Sequence, residues 1–276
     1  MFGVFRRLAY EFFSLRRTLD GDCFRRWLWA VTTSAPQIIL SRRLEPADRK
    51  VRGRIVFRTW GTSVVLNVTE IDEALRFDPS SAFGLARELY GRNVYLRAFK
   101  RFSASGMTAV DLGGNRGFFS LLAFAAFDAH KVIYVEPDER YETIARQLSR
   151  LEGTERHLEV IRGFVGSRPD GASAPLIELD ELVSRESHIA FLKADIEGAE
   201  ELLFRRENLW LGKVHRLAME AHPKIADMER VTNELRSAGF SVYSADATGV
   251  PTQPRLAHYI YGARDPAAFS RRFQRP

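Results

Sequence analysis

The sequence predicts an α/β fold: a mostly parallel sheet covered by helices on both faces, with an antiparallel last strand and a helical and strand-pair extension in front. Three observations lead there. From Thr108 onward, short apolar runs alternate with stretches of helical period, the pattern of parallel strands joined by crossover helices. Val110-Asp111-Leu112-Gly113-Gly114-Asn115-Arg116-Gly117 reads as an apolar strand ending in a glycine turn that opens an apolar helix. The final strand follows a loop containing Pro251 and Pro254 with no helix before it, which suits an antiparallel addition at or near the sheet edge.

Taken in order, Phe2, Phe5, Leu8, Phe12, Leu15 and Leu19 recur at helical spacing, with Arg6, Arg7, Arg16 and Arg17 between them. This is an amphipathic helix. It could touch a membrane surface or dock a partner through residues 1–50. It could also pack on the body of its own fold, the preferred reading, because a basic amphipathic pattern alone is weak evidence for an outside contact. Residues 51–70 read as a strand pair around the turn Trp60-Gly61-Thr62. Residues 82–102 read as helix, with Gly91 and Asn93 as points of interruption. Strands are expected at 108–112, 131–135, 158–162, 189–194, 214–219, 240–244 and 256–261, and helices at 117–127, 138–151, 198–206 and 225–238. The expected division is an extension over 1–104 and an α/β domain over 105–276.

Bulk composition narrows the class. The 276 residues are 45% hydrophobic and 28% charged, ordinary for a soluble globular chain. The net charge of +6 gathers near the ends, at Arg6, Arg7, Arg16, Arg17, Arg25, Arg26, Arg42, Arg43, Arg271, Arg272 and Arg275. Such ends suit an anionic partner, or are simply a solvated basic surface. Cys23 is the only cysteine, which excludes an intrachain disulfide and fits a reducing compartment. The stretch from Trp27 to Leu40 is too short and too polar to span a bilayer. Arginines break every apolar patch of the N-terminus, against a signal peptide. The expected location is cytoplasmic. The oligomeric state is not legible.

The glycine turn is shaped to hold a cofactor. The first N–H groups of the helix after Gly117 lack partners within the helix, and that end carries positive dipole. Gly113 and Gly117 let a ligand approach the backbone, and Asn115 tolerates a left-handed conformation. Glu136 closes the next strand, one strand–helix–strand unit after Asp111, where an acid accepts hydrogen bonds from ribose hydroxyls. A dinucleotide-binding chain would carry G-x-G-x-x-G, whereas this one has D-x-G-x-N-x-G. Asp111 would repel a phosphate and welcome a cationic amino acid group. That favours S-adenosylmethionine over NAD. The adenine is expected near Gly163-Phe164-Val165, with Phe164 packing against it.

Two further polar clusters fall at expected strand ends: Lys193-Ala194-Asp195-Ile196-Glu197-Gly198-Ala199-Glu200 and Met219-Glu220-Ala221-His222-Pro223. Ligands of open α/β sheets bind at the carboxyl ends of the strands. Asp195, Glu220 and His222 should therefore gather beside the cofactor, where they could orient a substrate hydroxyl and remove its proton. His222 has the better intrinsic pKa for a base near neutrality. The bland alternatives are a helix N-cap for Asp195, a turn residue for His222, and dipole-serving acids for Glu197, Glu200 and Glu201. No metal ligand is assigned, and because the spacing matches no standard metal motif, divalent metal binding by this cluster stays a minor alternative.

These stretches, VDLGGNRGFFSLLA with VIYVEPD, then LKADIEGAEELLF, then MEAHP, resemble the FkbM family of S-adenosylmethionine-dependent methyltransferases. The likeness covers about residues 105–245. It implies a class I methyltransferase (Rossmann-like) fold, a seven-stranded sheet with a reversed final strand. It also implies O-methylation of sugars or of hydroxyls on natural products. By the resemblance, Asp111, Gly113, Gly114, Asn115, Gly117 and Glu136 hold the cofactor. Asp195, Glu197, Glu220 and His222 match the family's acids and histidine near the substrate, Glu197 on the substrate itself. Gly114 replaces the more usual alanine, an exchange expected to be harmless. Two other classes stay open: a nucleic-acid methyltransferase, disfavoured because no RNA- or DNA-binding module is recognisable, and a non-catalytic cofactor-binding scaffold of a glycan-assembly complex.

Overall fold

A computed structural model describes residues 2–204 and 208–273, the side chains of residues 2–7 excepted. Phe2, Phe5, Arg6, Arg7 and Arg275 of the sequence reading therefore lie outside the described side chains. The chain divides into two compact units, Met1–Val94 and Tyr95–Pro276.

The N-terminal unit opens with α1 (Phe2–Thr18), α2 (Gly21–Thr33), α3 (Ala35–Ser41) and α4 (Glu45–Asp48). Asp20 caps α2, accepting from the Cys23 N–H at 2.7 Å. Strands β1 (Arg54–Thr59) and β2 (Thr62–Asn67) form the expected hairpin, turning through Trp60 and Gly61, both at positive φ. Then come α5 (Val68–Ala74) and α6 (Ala82–Ala86). The helix expected over 82–102 stops early. A single π-helical turn, Arg87–Gly91, follows α6, and Asn93 then turns left-handed at φ 53°. A Cβ at Gly91 would sit 2.7 Å from the Leu15 side chain, so glycine lets α1 approach closely there. This unit also buries charge. Arg87 grips Asp48 through two bonds of 3.0 and 2.9 Å and reaches Glu11 at 2.6 Å. Arg92 lies 3.6 Å from Glu11 and bonds Glu88.

The C-terminal unit is the α/β domain. Its strands and helices run β3 (Thr108–Leu112), α7 (Phe118–Phe127), β4 (Lys131–Glu136), α8 (Glu139–Leu151) and β5 (Leu158–Arg162). The short pair β6 (Phe164–Val165) and β7 (Leu176–Ile177) precedes α9 (Leu179–Leu182). The remainder is β8 (Ile189–Ala194), β9 (Arg216–Glu220), α10 (Met228–Ser237), β10 (Ser241–Ala245) and β11 (Tyr259–Ala263). Seven of these strands make one sheet in the order β10-β11-β9-β8-β3-β4-β5. All run parallel except β11, which lies antiparallel to both β10 and β9. The last strand is thus inserted one place in from the edge, with β10 outside it. Strands β3 and β8 are buried along their whole length, as a sheet covered on both faces requires. The core around Val110, Ile133, Leu192 and Leu217 holds the strands level, so their carboxyl ends form one edge.

The segment expected as helix at 198–206 is instead a 3-10 turn over Glu200–Phe204. Glu197 (φ 54°) and Gly198 (φ 97°) are both left-handed, which prevents an α-helix from starting at Asp195. Asp195 is therefore not a helix cap.

Candidate active site

The cradle is built where β3 turns into α7. Gly113 (φ 67°), Asn115 (φ 45°) and Gly117 (φ 74°) take left-handed conformations in quick succession. A Cβ at position 113 would lie 1.8 Å from the carbonyl oxygen of Asp195, and one at 117 would lie 2.6 Å from the Ala145 Cβ on α8. Gly117 thus serves helix packing, and Gly113 serves a contact between two motifs. Gly114 tells a third story. A Cβ there would meet the Tyr134 ring at 2.2 Å, while the Tyr134 hydroxyl donates to the Asn115 carbonyl at 2.5 Å. Glycine for alanine at 114 is therefore not a neutral exchange in this chain, because Tyr134 fills the space.

The two acids expected to share a cavity are separated. Glu136 lines it. Its Oε2 accepts from the Asn115 N–H at 2.9 Å and its Oε1 from the Asp138 N–H at 3.1 Å, so the carboxylate is aimed by the backbone and keeps lone pairs to spare. Burial pushes its pKa above the usual carboxylate range, and these two bonds pull against the shift. Asp111 is not among the residues lining the cavity, where the sequence reading placed both acids. It is wholly buried behind the turn. Its neighbour in the β3–β8 register is Lys193, whose ammonium lies 3.2 Å away, and Ser120 donates to its other oxygen at 2.8 Å. Lys193 also donates to the carbonyls of Leu112 (3.1 Å) and Gly113 (2.6 Å). Burial disfavours the ammonium, but the Asp111 and Asp195 carboxylates outweigh it and hold the lysine pKa above its ordinary value. Asp111 and Lys193 together brace the turn.

The cavity itself measures about 420 Å³, within the range of cofactor pockets. Gly113, Asn115, Glu136, Tyr141, Phe164, Asp195 and Glu197 line it, with Pro137, Gly163, Val165, Ser167, Pro169 and Ile196. Gly114 and Gly117 are not in its wall. Three acidic residues, Glu136, Asp195 and Glu197, line it, and among the described residues no lysine, arginine or histidine does. A pyrophosphate would find no countercharge here. A ligand with a sugar diol, an aromatic base and a cationic tail finds an acid for its hydroxyls, the Phe164 ring for its base and acids for its charge. The donor set fits S-adenosylmethionine.

The reacting edge lies one strand over. The register of β8 on β9 ends at Ala194 beside Met219, so Asp195 and Glu220 leave neighbouring strand tips side by side. The Tyr95 hydroxyl joins them, donating to Asp195 at 2.9 Å and lying 3.5 Å from Glu220. Burial, then the Asp195 and Glu220 charges, push the Tyr95 pKa well up and keep it a donor. Burial and the Asp195 charge raise Glu220 to about 8. His222 departs from the sequence expectation. Its Nδ1 sits 2.9 Å from the wholly buried Glu200 and its Nε2 lies 3.6 Å from Glu197. The bond to Glu200 raises its pKa to about 9, against burial. It is an imidazolium at neutral pH, a poor base and a fixed positive charge. Among the described residues, no group of three His, Cys, Asp or Glu side chains could hold a metal ion.

Sequence reasoning missed Tyr95 and the pairing of Lys193, and gave Glu200 only a dipole role. Tyr95 carries no motif. Lys193 sits inside a quoted stretch, and a lysine within an apolar strand is itself a signal that a buried acid lies opposite.

No family model matches the chain, and no curated protein matches it by sequence. Solved structures do. Methyltransferase FkbM from Methylobacillus flagellatus KT aligns over 93% of this chain and 59% of its own, at 18% identity and a TM-score of 0.48. The METTL16 MTase domain aligns over 58% of this chain and 60% of its own, at 13% identity and 0.41. Precorrin-6y C5,15-methyltransferase from Geobacter metallireducens GS-15 aligns over 60% of this chain and 83% of its own, at 11% identity and 0.40. The chain thus spans about three fifths of the first two. All three superpositions score below 0.5, and nothing about activity follows from them. The architecture is plain in the chain itself: six parallel strands with a reversed strand set one place in from the edge is the class I methyltransferase, Rossmann-like fold. No helix among the described residues is long and apolar enough to cross a membrane.

Proposed function

We propose that the chain is an S-adenosylmethionine-dependent O-methyltransferase acting on a hydroxyl of a sugar, glycan or natural product by direct in-line transfer. One observation carries this reading. A cavity lined by Glu136, Asp195 and Glu197, with no cationic residue among its described lining, includes Asp195, and Asp195 is also one arm of the Asp195–Tyr95–Glu220 cluster. When bound, the cofactor supplies a methyl group on a sulfonium. Glu136 would hold the ribose hydroxyls, Phe164 would pack on the adenine, and Gly113 and Asn115 would shape the floor beneath the amino acid tail. Alignment supplies most of the rate in such a transfer. The acceptor proton goes to Glu220, whose pKa of about 8 suits a base at the working pH. Asp195 orients the hydroxyl through the same network. The His222 imidazolium holds Glu197 and Glu200 in place and offsets their charge.

Calorimetric titration tests the cofactor first. Wild type should bind S-adenosylmethionine and not NAD, and Glu136→Ala should weaken S-adenosylmethionine about a hundredfold, the worth of two hydrogen bonds to a charged group. Binding of NAD with no response to S-adenosylmethionine would overturn the reading. Labelled methyl donor with sugar and RNA acceptors then separates the O-methyl reading from a nucleic-acid one. Cofactor binding without turnover on any hydroxylated acceptor would point to a scaffold.

A further inference from the structure

Three consecutive helices of the N-terminal unit leave bulky apolar side chains in solvent. On α1, Phe13 is 62% exposed, on α2 Trp29 is 62%, and on α3 Ile39 and Leu40 are 66% and 88%. Phe12 and Leu28 add partly to the same stretch. Elsewhere among the described residues, exposed large hydrophobics stand singly along the sequence, which is normal for a soluble surface. On α1 and α2 they are linked by contact, and on α2 and α3 by closeness along the chain. The Phe12 ring meets Phe13 at 5.6 Å and Phe24 at 5.3 Å, Leu28 stands one turn beyond Phe24, and Ser34 alone separates α2 from α3.

Charge says what covers them. Arg16, Arg17, Arg25, Arg42 and Arg43 are exposed on these helices and just past α3, with the Arg16 guanidinium 5.6 Å from the Phe24 ring centroid. Asp22 is the one exposed acid between residues 8 and 43, and it is taken up by Arg25 (3.4 Å) and Arg26 (3.2 Å). Arg17, Arg42 and Arg43 make no ion pair among the described residues. Meanwhile α1 anchors itself within its own unit by burying Glu11, Leu15 and, just beyond it, Leu19, so the opposite side is free to face outward. Aromatic and aliphatic side chains interleaved with long arginines, on helices too short to span, match the interface of an anionic bilayer. The rings enter the acyl boundary and the guanidinium groups stay among the headgroups.

We propose that the face formed by α1, α2 and α3 docks the protein on an anionic phospholipid surface without crossing it. The proposal is independent of the methyl-transfer reading.

The test uses the full chain and vesicles of phosphatidylcholine alone or with phosphatidylglycerol. Wild type should sediment with the anionic vesicles and be released from them by high salt. Brominated acyl chains should quench its fluorescence, and most of the quench should be lost in Trp29→Phe, since Trp27 and Trp210 are buried and Trp60 is half-buried in the β1–β2 turn. Trp29→Ser with Leu40→Ser should lower partitioning about a hundredfold, roughly tenfold for each bulky side chain withdrawn from the boundary, with thermal melting unchanged. Absence of binding to anionic vesicles would overturn the proposal, and so would equal binding to neutral ones. A wild-type dimer that ignores vesicles and becomes a monomer in the double variant would overturn it in favour of self-association. The quenching measurement stands on wild type alone, so a variant that fails to fold leaves the outcome decided.

Discussion

Both units of the chain bury charge, and they do so on opposite terms. In the N-terminal unit the acids Glu11 and Asp48 meet the arginines Arg87 and Arg92, and each charge has a partner. Burial raises Asp48, and Arg87 works against that shift. In the C-terminal unit Asp111, Glu136, Asp195, Glu200 and Glu220 cluster around one lysine and one histidine. Lys193 is committed to Asp111 and His222 to Glu200, which leaves three acids, Glu136, Asp195 and Glu220, beyond the committed cations, and Glu220 keeps its proton up to about pH 8. A matched network holds a fold together. An unmatched one keeps groups away from their ordinary protonation, at a cost in stability that only a ligand or a reaction would justify.

Three experiments would break or sharpen that contrast. The largest effect is expected at Glu220. Glu220→Gln should lower kcat by about a hundredfold to ten-thousandfold, the usual worth of a general base, with S-adenosylmethionine affinity unchanged. The same variant should gain stability at high pH. The folded carboxyl titrates near 8, above its unfolded value, so wild type loses stability as pH rises between the two and the amide does not. Melting curves at pH 6 and pH 9 read this directly, and equal melting of the two proteins at both would show that Glu220 carries no unmatched charge. Next comes the matched network. Arg87→Met strands Asp48 and leaves Glu11 to Arg92 at 3.6 Å, and urea titration should show a loss of about 3–5 kcal/mol. A loss under about 1 kcal/mol, the scale of an exposed pair, would place this network at the surface. The smallest effect is in the pH profile. Glu220 must lose its proton, near pH 8, and the His222 imidazolium must keep its own, up to about pH 9, so kcat/KM should rise and then fall through a narrow bell. Glu200→Gln should move the falling limb to lower pH. A falling limb that stays in place would detach it from His222.

The sheet was legible because parallel strands buried on both faces leave continuous apolar runs, and those over Thr108–Leu112 and Ile189–Ala194 appear where the sequence puts them. The placing of Glu136 and Asp195 at strand ends that line the cavity was legible for a related reason, since a strand end names its residue. What stayed hidden depends on register between distant strands. Asp111 looked like a ligand because its partner, Lys193, lies on a strand far along the chain, and only the pairing of β3 with β8 brings the two together. His222 looked like a base until Glu200 was found against its Nδ1. Tyr95 fell within a segment read as helix; the interruption marked at Gly91 and Asn93 is where the π-helical turn and the left-handed residue fall, but the partner of Tyr95 lies a hundred residues on. The Gly114–Tyr134 exchange shows the same limit, because a glycine's purpose is written in the ring that occupies its missing side chain.

The 1.8 Å that a Cβ on residue 113 would leave to the Asp195 carbonyl oxygen has a further consequence. The floor that would receive the methyl donor and the arm that would receive the acceptor are pressed backbone to backbone, with no side chain between them to absorb movement. A chain that exchanged Gly113 for any other residue would lose donor and acceptor alignment in a single step.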